Sequence, residues 1–320
     1  MNNHSFAFIT PSYAPDFQRC KLLCWSIKQF IYSPIKHYII VDKDDLNLFQ
    51  QLADSNTIIL SKEEVLPSWI KRAPLVNFSN KNIWLNLRGY RSGNWFLRGW
   101  LIQQIVKLAA AQYVKEDVLV FIDSDVAFID YFNTSAFADG GKVRLFRVDH
   151  STDIDGEIGI KWRETAKELL GLPTETTCYD FYVSQVVTWR RNNLIKLYRH
   201  IEEIYGRDWL EIISEVKDLS EYVLYGIFSS YVLGENSGHY DDHLQKICWC
   251  HWETSPMSDQ KLRTFFQEAR SSGHKAVMIS AKSSMNLSID QFQNYLALTQ
   301  PYNLQGVSNY SGFWPDEVPA

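Results

Sequence analysis

The sequence predicts an α/β protein, a central and mostly parallel sheet with helices on its faces. Three observations predict it. Apolar runs at 5–10, 37–41, 57–60 and 118–122 are short and rich in β-branched and aromatic residues, as strands buried on both faces of a parallel sheet are. Helix-period stretches separate the first three, so the chain opens as β-α-β-α-β. The run at 118–122 then passes directly into Asp123-Ser124-Asp125, at the strand end where open α/β sheets hold ligands.

SFAFIT at 5–10 is the first strand and stops at Pro11-Ser12-Tyr13. Residues 16–30 follow as an amphipathic helix with Phe17, Leu22, Leu23, Trp25, Ile27 and Phe30 as its apolar positions. HYIIV at 37–41 is a second strand closed by Asp42, 46–53 a short helix, and TIIL at 57–60 a third strand. No Gly-x-Gly-x-x-Gly follows the first strand, which disfavours a nicotinamide or flavin dinucleotide site. Residues 61–93, with Pro67, Pro74 and a polar NFSNKN stretch, read as a loop-rich insertion near the site.

Residues 94–114 read as one long helix. Leu97, Leu101, Ile105 and Leu108 form its core stripe, and Trp100, Gln103, Gln104 and Lys107 a neighbouring one. Gln104 is expected to face solvent, whereas Arg98 and Lys107 are candidate cations for a pyrophosphate. Further on, strands are expected at 143–148, 181–189 and 275–280, and helices at 160–170, 194–205 and 219–233. No repeat or linker interrupts them, so one continuous domain is the economical expectation.

Asp-x-Asp alone is a weak signal, for it recurs at Asp42-Lys43-Asp44 and Asp153-Ile154-Asp155. What sets Asp123-Ser124-Asp125 apart is an apolar run on each side, VLVFI before and VAFI after. Acids in such surroundings need a cation or several backbone N–H groups. Two carboxylates suit Mn²⁺ or Mg²⁺, hard ions that leave positions open for phosphate oxygens. The bland alternative is a strand end whose acids cap the next turn.

Composition narrows the classes. At 320 residues with 46% hydrophobic and 22% charged content, the chain is an ordinary globular protein. A net charge of −5 without a basic face argues against nucleic acid. The 11 Trp, 17 Tyr and 18 Phe fill cores, and some rings can also stack on sugars. No Lys or Arg precedes the first apolar stretch, so no signal peptide is expected. No apolar run is long enough for a transmembrane segment, which leaves peripheral membrane contact open and a cytoplasmic location expected. Cys20 and Cys24 lie four apart on the first helix, and Cys248 and Cys250 flank Trp249 beside His251. Neither spacing is that of a zinc finger or ribbon, so reduced thiols are expected.

Thr10-Pro11-Ser12 after the first strand, Asp42 after the second, and Asp123-Ser124-Asp125 after a later one resemble the glycosyltransferases of the GT-A fold. The block Arg98-Gly99-Trp100 with Gln103, Gln104 and Lys107, and Ser220-Glu221-Tyr222 with Leu224-Tyr225-Gly226, look like a little-characterised bacterial family within that superfamily. The resemblance spans most of the chain and is clearest over 5–233. It implies a single GT-A-like domain with a Rossmann-like sheet, the nucleotide-sugar half over about 1–130 and the acceptor half over about 131–320. It further implies transfer of a sugar from a nucleotide diphosphate, with UDP the commoner carrier, to a carbohydrate or glycoconjugate acceptor. Thr10, Pro11, Ser12, Asp42, Arg98, Trp100, Gln103, Lys107, Asp123 and Ser124 would then face the nucleotide-sugar. Asp125, with Asp123, would hold the metal.

In such enzymes a His beyond the acceptor-binding helix commonly completes the metal shell. His239, His243 and His251 are the candidates; His251 in ICWCHW is the choice, since the other two are expected to be exposed in a polar loop. An inverting enzyme also needs a carboxylate base, for which Glu221 is the candidate. A competing role is concrete: Asp218-Leu219-Ser220-Glu221 has the form of a capping box. Two other classes remain. A haloacid-dehalogenase-like phosphatase would use Asp123 as nucleophile, but Ala127 stands where Thr or Val is expected, and Asp241-Asp242 lacks an apolar strand before it. A non-catalytic carbohydrate-binding protein on a degenerate transferase fold is the other.

Overall fold

The alternation of strand and helix expected at the start is present. The computed structural model describes residues 4–33, 35–73, 83–90, 92–148, 156–242 and 247–299. β1 (Phe6–Pro11), α1 (Phe17–Phe30), β2 (Lys36–Val41), α2 (Leu46–Phe49), β3 (Thr57–Ser61) and α3 (Lys62–Val65) form the first unit. β4 (Ile70–Arg72), β5 (Ile83–Asn86) and β6 (Phe96–Arg98) make a small antiparallel sheet before α4 (Gly99–Ala109). β7 (Val118–Ile122) leads through the Asp pair into β8 (Val126–Phe128). β9 (Ala138–Asp139), β10 (Lys142–Phe146), α5 (Gly156–Leu169) and β11 (Val186–Arg190) follow, then α6 (Arg191–Tyr205), α7 (Trp209–Glu215) and α8 (Glu221–Ile227). The described chain ends with β12 (His239–Asp242), β13 (Cys248–His251), α9 (Asp259–Ser271), β14 (Ala276–Ile279) and α10 (Ile289–Leu298).

The central sheet runs β11-β7-β1-β2-β3, with β7, β1, β2 and β3 mutually parallel and β11 antiparallel at the edge. The protein is therefore mixed α/β on a mostly parallel sheet. All five residues of β7 are buried. Leu119 and Phe121 join the core beneath α4 and α8, while Val118, Val120 and Ile122 join a second core that includes Leu23 and Ile27 of α1. Burial on both faces is why this strand reads as an unbroken apolar run.

Several boundaries differ from expectation. The helix expected over 94–114 starts only at Gly99, because Phe96–Arg98 pairs with β5 instead. Residues 61–93 thus hold part of a sheet rather than loop alone. The strand expected over 181–189 is confined to β11, with Phe181 making an isolated bridge to Val148. The helix expected over 219–233 is α8 followed by a π-helical stretch at Phe228–Leu233. β12, β13, α9 and α10 were not expected. β14 pairs with both β13 and β8, which carries this late segment to the Asp pair.

His239 also departs from its expected exposure. It opens β12 and is 9% exposed. Its Nδ1 lies 2.9 Å from the Val143 carbonyl and its Nε2 2.7 Å from the Tyr225 hydroxyl. The Val143 carbonyl can only accept, so Nδ1 carries the hydrogen, and Nε2 of the neutral ring accepts the Tyr225 hydroxyl proton, while the Tyr225 oxygen accepts the Arg190 backbone N–H at 2.8 Å. Burial, with the Arg190 charge adding to it, pulls its pKa down to about 4. His243 and Asp153-Ile154-Asp155 lie outside the described residues.

Because the unfolded imidazole titrates near its ordinary value, the unfolded chain takes up a proton first as pH falls. Stability should be full above about pH 6.5 and decline by roughly 3 kcal/mol toward pH 4 from this group. Urea unfolding of the parent and of His239→Gln at pH 7 and pH 4.5 checks this. The variant, uncharged at both values, should lose distinctly less stability on acidification.

Candidate functional site

β1, β2, β3 and β7 present their carboxyl ends on one edge of the sheet, since they run parallel. A cleft of about 650 Å³ opens there, lined by Pro11, Ser12, Tyr13, Asp16, Lys62, Ile83, Trp84, Arg98, Gly99, Trp100 and Gln103. Five of the residues expected to face a nucleotide-sugar are on its wall: Pro11, Ser12, Arg98, Trp100 and Gln103. Trp100 and Tyr13 are 49% and 40% exposed, so each offers a ring face to a ligand. The Trp100 ring is itself backed by Trp162, with centroids 6.4 Å apart.

Other expected residues stand behind the wall. Thr10 is fully buried, its hydroxyl 2.9 Å from His37 Nε2. Asp42 is buried as well and forms an ion pair with Lys62 at 2.8 Å. Lys62 lines the cleft, so the Asp42 charge positions a cleft lysine. Asp16, Tyr13 and Lys62 were not among the expected site residues. Asp16 directly precedes α1 and reads as its N-cap, yet its side chain makes no capping bond. It binds Arg19 at 2.8 Å, and Ser124 Oγ donates to its other oxygen at 3.5 Å. Asp16 is thereby shared between the cleft and the Asp-Ser-Asp turn.

The two acids of that turn diverge. Asp123 faces α4, where Lys107 Nζ lies 3.1 Å from its Oδ1. Asp125 accepts the Ala281 backbone N–H at 3.1 Å, a donor delivered by β14. Burial, then the charges of Asp123 and Asp16, push the Asp125 carboxyl up to about 7. Burial likewise raises Asp16 despite its Arg19 partner.

Lys107 was expected beside a pyrophosphate, and it is buried instead. It contacts Asp123, Glu221 Oε1 at 3.1 Å and the Tyr222 hydroxyl at 2.7 Å. Burial alone would depress its pKa, but Asp123, Tyr222 and Glu221 together hold it well above the ordinary lysine value. Gln104, one turn earlier, is 2% exposed rather than solvated, and its Oε1 accepts the Glu221 N–H at 3.1 Å. Lys107 and Gln104 thus fix the first turn of α8 from α4.

Glu221 is the first residue of α8, and Ser220 is the N-cap, accepting the Val223 N–H at 3.4 Å. The capping-box reading therefore fails, because Glu221 is not three residues inside the helix. Burial raises its carboxyl above the usual range even with Lys107 beside it, the direction that suits a proton acceptor. His251 ends β13, and its ring packs edge-on against Phe265. Its Nε2 is buried and has no hydrogen-bond partner among the described residues. Its carbonyl accepts the Ser280 N–H at 3.0 Å, next to the residue that donates to Asp125.

The donor set fits a hard divalent cation in part. Asp123 and Asp125, with Asp16 near enough to repel both, offer oxygen ligands, and phosphate or water would have to supply the rest. Among the described residues, no group of three or more His, Cys, Asp and Glu side chains is arranged to hold a metal. His251 is accordingly not gathered with the Asp pair into a preformed cage.

Residues 8–289 match DUF6492, a family of unknown function, and the chain belongs to that family. No curated protein matches it. Among the described residues, no helix is long and apolar enough to cross a membrane.

The contacts of Glu221 generate a prediction. As a buried partner of Lys107 it should matter far more than a helix cap would. Glu221→Leu should cost about 3–5 kcal/mol, the penalty of breaking a buried pair. Glu221→Gln, which keeps an acceptor for the ammonium, should cost less than half of that. Equilibrium denaturation of both variants checks the order, and equal losses of a few tenths of a kcal/mol would return Glu221 to a passive position.

Proposed function

We propose that the protein is a glycosyltransferase of GT-A type that moves a sugar from a nucleoside diphosphate, most simply UDP, to a carbohydrate or glycoconjugate hydroxyl. The observation that carries this reading is the cleft at the carboxyl ends of four parallel strands, joined through Asp16 to the Asp-Ser-Asp turn. Exposed Tyr13 and Trp100 suit a base or a sugar face, worth about 1–3 kcal/mol per stacked base. Arg98, exposed at the cleft, and Lys62 supply positive charge for phosphate. Residues up to about 130, with β1 to β8, are the donor half in this reading, and residues from about 131 to 320 the acceptor half.

In the reaction, an acceptor oxygen bonds to the anomeric carbon while the bond from that carbon to the phosphate oxygen breaks. The electron pair leaves on the nucleoside diphosphate, and the hydroxyl proton passes to Glu221 if the transfer inverts. A divalent cation, held by Asp125 and Asp123, would stabilise the charge gathering on the diphosphate. Lys62 and Arg98 orient the phosphates, and the aromatic walls exclude water from one side of the donor. Nothing in the placement of Asp241 and Asp242 favours the phosphatase alternative, because they pair with Arg147 and Arg144.

The test is a thermal-shift panel of nucleoside diphosphates with and without Mn²⁺. One of them with Mn²⁺ should raise Tm by several degrees, since ligand at a hundredfold excess over Kd adds about 2.7 kcal/mol. Asp125→Ala should abolish the Mn²⁺-dependent part, and Trp100→Ala should weaken nucleotide binding about tenfold. A folded Asp125→Ala protein with unchanged Mn²⁺-dependent binding would sink the cation assignment. No shift with any nucleotide would sink the transferase reading.

A further inference from the structure

Lys107 meets two carboxylates that the proposed reaction uses for different purposes. An ammonium has three N–H donors and no more. Asp123, Glu221 and Tyr222 surround it at 3.1, 3.1 and 2.7 Å, and its side chain is only 5% exposed. No donor is left over for a phosphate. The charge itself is not used up, however. Itself buried, it sits against a partly exposed Asp123, where it repels any second cation that approaches the same carboxylate.

The placement is built from both sides. α4 supplies Lys107, and with it Gln104, whose amide oxygen holds the first N–H of α8. The Tyr222 hydroxyl, accepting at 2.7 Å, fixes the ammonium from the α8 side. A side chain held this way does not swing aside when a ligand arrives.

We propose that Lys107 is a positioning residue that holds Asp123 and Glu221 on one shared charge and keeps the affinity of Asp123 for a divalent cation low. The inference rests on the reading of Asp123 and Asp125 as cation ligands. It makes Lys107 a brake on cation loading, opposite in sign to a phosphate-binding lysine.

The experiment titrates Mn²⁺ alone into the full chain and reads free Mn²⁺ by electron paramagnetic resonance. Lys107→Met should bind Mn²⁺ at least about tenfold more tightly than the parent, and Lys107→Arg, which keeps the charge, should stay within about threefold. The double variant Lys107→Met with Glu221→Gln should also bind more tightly than the parent. It leaves no full charge stranded on Glu221, so it carries the test if Lys107→Met does not fold. Mn²⁺ binding by both Met-containing proteins at or below the parental affinity overturns the inference while leaving the cation site standing. Absence of Mn²⁺ binding in every protein overturns both.

Discussion

An ammonium group can be buried only where acceptors meet all of its N–H bonds, and Lys107 is buried. Much of the site follows from that requirement. α4 must lie close enough to the end of β7 for Asp123 to reach the lysine, and α8 must begin where Glu221 can do the same. Tyr222 closes the remaining side. Glu221 gains in turn, because the Lys107 charge opposes the burial that raises its carboxyl. The three elements are therefore locked in register by one side chain, with Gln104 adding a hydrogen bond to the same helix start.

The middle of the central sheet was legible because β1 and β7 are buried on both faces, which leaves apolar runs with no competing pattern. Strand β12 was not legible, since HYDD carries its stability in ion pairs to Arg144 and Arg147 rather than in apolar alternation. His239 shows the same limit. A histidine in a polar stretch reads as solvated, and only the distant Val143 and Tyr225 make it a core residue. Helix α9 did leave a signal, for Leu262, Phe265, Phe266 and Ala269 are its buried face.

At the site, spacing located the wall of the cleft but not what lies behind it. Residues just after a parallel strand must emerge at the ligand edge, which is why Pro11, Ser12 and the Asp pair were readable. Thr10 could not be told from them, although one residue earlier the pleat turns its hydroxyl to His37. Gln104 was misjudged for a related reason: a helix period says which residues share a face, not whether that face meets solvent or another helix. Asp16 drew no expectation, and only its contacts with Arg19 and Ser124 mark it.

The pairing of β14 with β8 has a consequence in time. The N–H that receives Asp125 belongs to Ala281, 156 residues further along the chain, and Arg19 likewise waits for the carbonyls of Ala281 and Met285. The cleft wall, by contrast, is drawn from residues no later than Gln103. At about 5–20 residues per second of synthesis, the wall is made roughly nine to thirty-six seconds before the partner of Asp125. During that interval the nascent protein carries the residues of the cleft wall while Asp125 has yet to meet its donor.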